Sequence, residues 1–163
     1  MKRNVINNNL GIYLNYGYLT LPVNISIVDK VKIGPKIFYS KTGYHTSLLY
    51  LGNLTETEQL KIVNFASKYK VRLSKITNTF RSVKSGDKES IIVRVKLHGL
   101  KRLINEINKH YRYDFVYPPT HITLFNLKGQ YGIGINSKKE YEEITKQLDP
   151  ISVKNIVNSF NLI

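Results

Sequence analysis

The chain has 163 residues, 42% of them hydrophobic and 22% charged, a balance that fits one folded domain with a real core and excludes a disordered or fibrous polymer. Lys and Arg number 25 against 11 Asp and Glu, a formal +14, so an acidic partner such as a nucleotide or nucleic acid is expected, although an AT-rich codon bias favours Lys in the same way. The absence of cysteine excludes disulfides, thiolate nucleophiles and Cys-ligated zinc. Asn7, Asn8 and Asn9 interrupt the apolar run that a secretory signal needs, and no run approaches the roughly 18 apolar residues of a membrane span. The expectation is a cytoplasmic monomer with no membrane association.

Residues 1–35 form an Asn- and Tyr-rich lead with strand-like runs over 11–21 and 23–33, closed by Gly34-Pro35. A strand follows at Tyr44-His45-Thr46-Ser47-Leu48-Leu49-Tyr50-Leu51. Thr55-Glu56-Thr57-Glu58 then has the form of a capping box, with Leu60, Val63 and Ala66 or Tyr69 at helical spacing, which predicts a helix to about residue 69. Strands over 71–80 and 90–98 flank the turn signal Ser85-Gly86-Asp87 and form a hairpin. Leu100, Leu103, Ile104, Ile107 and Tyr111 mark an amphipathic helix, which Pro118-Pro119 bars from continuing. A strand Thr120-His121-Ile122-Thr123-Leu124-Phe125 comes next. After it stand a Gly-rich passage over 129–134, a helix near 138–148 and a strand-like tail after Pro150. The Gly-rich passage lacks the spacing of a dinucleotide-binding loop and reads as a turn.

The two histidine strands resemble each other. In a strand, residues i and i+2 share a face, so His45 with Ser47, and His121 with Thr123, each present an imidazole beside a hydroxyl. A single His on an apolar strand is more often a packed core residue than a catalyst. Two of them, each followed at the same offset by a hydroxyl, point to a shared phosphate. Imidazole serves as base or acid near neutral pH, and hydroxyls donate to non-bridging phosphate oxygens, so a bell-shaped rate profile is expected. The other histidines, His98 and His110, have no such partner and read as surface or structural. None of the four has the i, i+4 spacing beside a carboxylate that a helical zinc site uses, so no metal is assigned.

Tyr44-His45-Thr46-Ser47-Leu48 and Pro119-Thr120-His121-Ile122-Thr123-Leu124 resemble the paired His-x-Thr/Ser motifs of the two-histidine (2H) phosphoesterase superfamily. That superfamily includes RNA ligase-like bacterial proteins, cyclic phosphodiesterases of tRNA splicing and viral enzymes that destroy 2′-5′ or cyclic oligonucleotide signals. The resemblance covers residues 36–160 and departs from the family in Ser at position 47 and in the lead, 1–35, which has no family counterpart. It implies an α+β, bilobed 2H-phosphoesterase-like fold within one domain, 1–163: two related lobes of antiparallel strands, helices outside, and a central groove. It implies His45 and His121 as the catalytic pair, Ser47 and Thr123 as phosphate-binding hydroxyls, and no cofactor.

The substrate implied is a nucleotide, cyclic dinucleotide or short RNA whose cyclic or 2′-linked phosphodiester is hydrolysed, either to erase an immune signal or to process RNA 2′,3′-cyclic phosphate ends. A non-catalytic RNA-binding module is the alternative from another class. For substrate contacts, Arg94 and Lys96 share one face of their strand with His98, and either line the groove or face bulk water. Tyr117 and Tyr131 flank the second motif, where a ring can stack on a base or pack in the core.

Overall fold

The computed structural model describes residues 6–7, 11–127 and 132–162. The lead is built of short strands: β1 (Ile6–Asn7), β2 (Tyr13–Asn15), β3 (Tyr18–Pro22), β4 (Ile25–Ile27) and β5 (Lys30–Ile33). Then come β6 (Lys36–Ser40), β7 (His45–Tyr50), α1 (Glu56–Ala66), β8 (Arg72–Ser85), β9 (Lys88–His98) and α2 (Leu100–Tyr111). The chain continues through β10 (His121–Asn126), α3 (Lys138–Ile144), β11 (Thr145–Gln147), α4 (Pro150–Ser159) and β12 (Phe160–Leu162). The class is α+β: a ten-stranded antiparallel sheet in the order β1-β2-β3-β7-β10-β9-β8-β11, with β5 and β6 joined to it through β10, and a separate β12–β4 pair. Among the described residues no helix is long and apolar enough to cross a membrane.

The histidine strands lie side by side at the sheet's centre, with Ile122 paired to Thr46. Both of these residues are fully buried, so this face of β7 and β10 turns into the core. Leu19, Leu21 and Leu48 pack there against Ile62, Val63 and Ala66 of α1 and Leu100, Leu103, Ile104 and Ile107 of α2. Each of the leucine, isoleucine and valine side chains contributes about 1.5–3 kcal/mol relative to exposure, and this burial holds the central strands against their helices. A second apolar cluster joins Val93, Val95, Ile122 and Leu124 to Phe38 and to Ile156 of α4.

Local signals account for most elements. Thr55 Oγ1 accepts from Glu58 N–H at 3.3 Å while Thr55 N–H donates to Glu58 Oε2 at 2.8 Å, completing the capping box, and α1 stops at Ala66 rather than at 69. The β8–β9 hairpin turns at Gly86-Asp87, with Gly86 at φ +60°, and β8 runs 14 residues, longer than the sequence pattern indicated. Leu100 begins α2 directly after Gly99, whose φ of +88° and approach to Lys70 O leave no room for a Cβ. Beyond α2 the Asn108 side chain bonds both backbone groups of Phe115, turning the chain back toward β10.

Two expectations change. The segment after Pro150 is helix α4, capped by Asp149, whose carboxylate accepts from the N–H and hydroxyl of Ser152 at 2.9 and 2.6 Å; only β12 beyond it is extended. The helix placed near 138–148 ends at Ile144, where the chain enters β11 against β8. The lead is no appendage: β3 pairs along the whole outer edge of β7, from Tyr18↔Tyr50 to Pro22↔His45. The Gly-rich turn falls partly on residues 128–131, which lie outside the described residues.

Candidate active site

Because Ile122 and Thr46 point into the core, the residues on either side of them point to the other face of the sheet. Antiparallel register sets His45 across from Thr123, and Ser47 across from His121. Directly opposed Cβ atoms stand about 4.5–5.5 Å apart and diagonal ones about 7–8 Å, so the imidazoles occupy opposite corners of a rectangle and the hydroxyls the other two. All four side chains line one cleft of about 880 Å³. The arrangement has a local two-fold character, each strand supplying one imidazole and one hydroxyl.

The same device orients both rings. His45 Nδ1 lies 3.4 Å from Gly43 O and His121 Nδ1 lies 3.0 Å from Pro119 O, each carbonyl two residues upstream of its ring. A carbonyl only accepts, so Nδ1 carries the proton and Nε2 presents its lone pair, the tautomer a general base needs. Pro119 is held in turn by its neighbour Thr120, whose hydroxyl donates to Val95 O at 2.8 Å and whose carbonyl accepts from Val95 N–H at 3.1 Å.

The Gly43 carbonyl comes from a break in the sheet. Strands β6 and β7 pair with the same edge of β10, at Ser40↔Phe125 and Thr46↔Ile122, and residues 41–44 loop out between them. Gly43, at φ +71°, makes this loop possible. Lys41 stands on it and lines the cleft.

Both imidazoles are pushed toward the neutral form. Burial, then the Lys41 charge and the diagonally placed His121, lower His45 to about 4, against the opposing bond to Gly43 O. His121 is lowered by burial first, with Arg94 and Lys41 adding to it against the bond to Pro119 O. Both depressions favour the neutral imidazole near neutral pH.

The flanking residues divide. Arg94 is the partner of His121 in the β9–β10 ladder and shares its face, but its Nε donates to Thr120 O at 3.1 Å and its guanidinium lies 4.8 Å from the Tyr141 ring centroid. It acts on His121 through its charge and does not line the cleft. Lys96, one step farther along that face, is exposed, as is Tyr117, and neither lines the cleft. Tyr131 lies outside the described residues. His98 is exposed and His110 stacks on Phe65 at 4.9 Å, in keeping with surface and structural roles.

Sequence reasoning missed Lys41 and the lead residues Tyr13, Asn15, Tyr16 and Tyr18, which form the cleft's other wall. On the roof, Gly132 passes so close to Thr123 that a Cβ would stand 3.0 Å from Oγ1, and Gly134 leaves no room for a Cβ beside the Tyr18 hydroxyl. That hydroxyl donates to Asn136 Oδ1 at 3.0 Å and ties the roof to the wall. Lys41-Thr42-Gly43, a turn signal set before a His-x-Ser strand, was the one local clue to the loop.

The site thus offers two acid/base groups on opposite sides of a central space, two hydroxyl donors and the cations Lys41 and Lys88 in its lining, a set that fits a tetrahedral anion. No protein-family model, no curated protein and no solved structure matches this chain.

Proposed function

We propose that the chain is a phosphodiesterase of the two-histidine kind that hydrolyses cyclic or 2′-linked phosphodiester bonds in nucleotides or oligonucleotides without a metal ion. The observation that carries this reading is the matched pair on β7 and β10: a ring whose Nδ1 is locked by the carbonyl two residues before it, and a hydroxyl two residues after it, on both strands. A structural histidine needs neither a free Nε2 in a cleft nor a twin related by local symmetry.

In the reaction, the Ser47 and Thr123 hydroxyls donate to the two non-bridging oxygens. One imidazole Nε2 takes a proton from water as the new P–O bond forms. The opposite, protonated imidazole gives its proton to the leaving oxygen as the old P–O bond breaks. One water is consumed, and the two rings exchange protonation states and reset through solvent. Placement on opposite sides of phosphorus suits in-line displacement. Lys41 neutralises the bound anion. The finer architecture belongs to the same reading: β7 with α1 and β10 with α3 are the cores of two related lobes, the groove between them is the cleft, and the protein works as a cytoplasmic monomer.

The test is a panel assayed in EDTA: 2′,3′-cyclic mononucleotides, 2′-5′ oligoadenylate, cyclic dinucleotides and a short RNA, with wild type, His45→Ala and His121→Ala. Turnover that drops about 10²- to 10⁴-fold in each variant supports the pair. The preferred substrate then separates destruction of a nucleotide immune signal from RNA end processing. No turnover of any substrate, with RNA held tightly by all three proteins, leaves the binding-module reading in its place.

A further inference from the structure

The lead hairpin stands beside the phosphate centre in register with it. Tyr13 pairs with Thr20, Thr20 with Ser47, and His121 with Arg94, so one row crosses the sheet as Tyr13, Thr20, Ser47, His121, Arg94 with every side chain on the cleft face. At about 4.8 Å between strands, Tyr13 lies roughly 10 Å from Ser47, about one nucleoside's length. The position between them, Thr20, is small and fully buried, with its hydroxyl turned back to Tyr18 O, and does not itself line the cleft as Tyr13 and Ser47 do.

At the tip of the same hairpin stands a strained aromatic residue. Tyr16 and Gly17 occupy the two turn positions at φ +49° and +79°, the signs of a type I′ turn, which favours Asn-Gly. A left-handed tyrosine costs on the order of 1–2 kcal/mol and persists where its surroundings over-determine it. Here Leu51 N–H donates to Gly17 O at 2.6 Å, and a Cβ on Gly17 would stand 3.1 Å from Gly52 Cα, so the tip is clamped to the end of β7. Tyr16 is 53% exposed and lines the cleft.

We propose that Tyr13 and Tyr16 form a nucleobase-stacking subsite, so that the substrate is an oligonucleotide, a dinucleotide or longer, with one base held on the lead hairpin while its phosphodiester sits between the histidines. This rests on the phosphodiesterase reading for the phosphate position, and supplies the substrate class that reading leaves open. Stacking on tyrosine tolerates any base, so the subsite selects for the presence of a base rather than for its identity.

The probe is a dinucleotide carrying 2-aminopurine at either position, whose fluorescence is quenched when the base stacks, with an abasic dinucleotide as counterpart. Wild type should quench it, and Tyr16→Phe, which keeps the ring, should quench it equally. Tyr16→Asn gives the turn the residue it favours and so preserves the hairpin; it should lose the quenching and bind roughly 5- to 100-fold more weakly, the scale of a base-on-aromatic stack. The abasic probe should bind wild type and Tyr16→Asn alike. Quenching by Tyr16→Asn equal to that of wild type, or no quenching by wild type, overturns the subsite. Probes with 2′-5′ and cyclic dinucleotide linkages that bind and quench but are all left uncleaved uphold the subsite and remove the phosphodiesterase reading instead.

Discussion

Binding a phosphodiester should create the catalytic acid. With His45 near 4, about one molecule in a thousand carries the proton at pH 7, and charging the ring costs about 4 kcal/mol at about 1.4 kcal/mol per unit. A phosphate monoanion about 4 Å away at an effective dielectric constant near 20 returns about 4 kcal/mol. The two nearly cancel, so the bound anion should lift His45 by about three units, to near 7. The assay is an NMR titration of the histidine Cε1–H resonances, with His45→Gln for assignment, in the free protein and with a saturating non-hydrolysable phosphodiester. The kinetic counterpart is a kcat/KM optimum on the acid side of the kcat optimum, since the first reports the free enzyme and the second the complex. Titration of His45 near 6.5 in the free protein, or the same midpoint with and without ligand, would refute the reasoning.

Lys41→Met should move both imidazoles back toward their ordinary range in the free protein while weakening phosphodiester binding by roughly 10- to 100-fold, the worth of a charge-assisted contact; the same titration and a binding isotherm check it. Because burial depresses both histidines, the unfolded chain takes up protons that the folded one refuses. Stability is therefore full above about 6.5 and lost as pH falls toward 4, by up to about 3 kcal/mol from His45, and His45→Gln should flatten that part of the Tm-versus-pH curve. Thr46 lies fully buried between the two cleft-facing residues of β7, and its hydroxyl has no partner among the described residues. Thr46→Val should raise stability by about 1–2 kcal/mol in denaturant unfolding without loss of turnover.

What the sequence makes legible is governed by distance along the chain. The Thr55–Glu58 box, the apolar stripe of α2 and the i, i+2 pairing of imidazole with hydroxyl are each set within a few residues, and each is found where the pattern puts it. Helix α4 was equally local: Asp149 before Pro150 is an N-cap followed by proline at the first helical position, a stronger signal than the loose alternation of Ile151 and Val153 that resembles a strand. The packing of the Arg94 guanidinium on the Tyr141 ring was not legible, because it depends on where α3 docks. A basic residue alternating with apolar ones says which face it takes, and not what covers that face.

The same division runs through the candidate site. Its acid/base groups are visible because two-residue periodicity is a property of each strand alone. The rest of its lining is hidden because it is made by register between strands far apart in sequence: Tyr13 reaches Ser47 only through Thr20, and Lys41 enters the cleft only because β6 and β7 share one edge of β10 with a loop between them. Register is cooperative, and a slip of one residue at Thr20↔Ser47 would turn Tyr13 to the core and Leu14 to the cleft. The lead is held against such a slip by Ile12, Leu14, Leu19 and Leu21, buried in the cluster that seats α1 and α2. The apolar residues that fold this segment onto the sheet therefore also decide which of its tyrosines line the cleft, which makes residues 11–22 part of the candidate site rather than an addition to it.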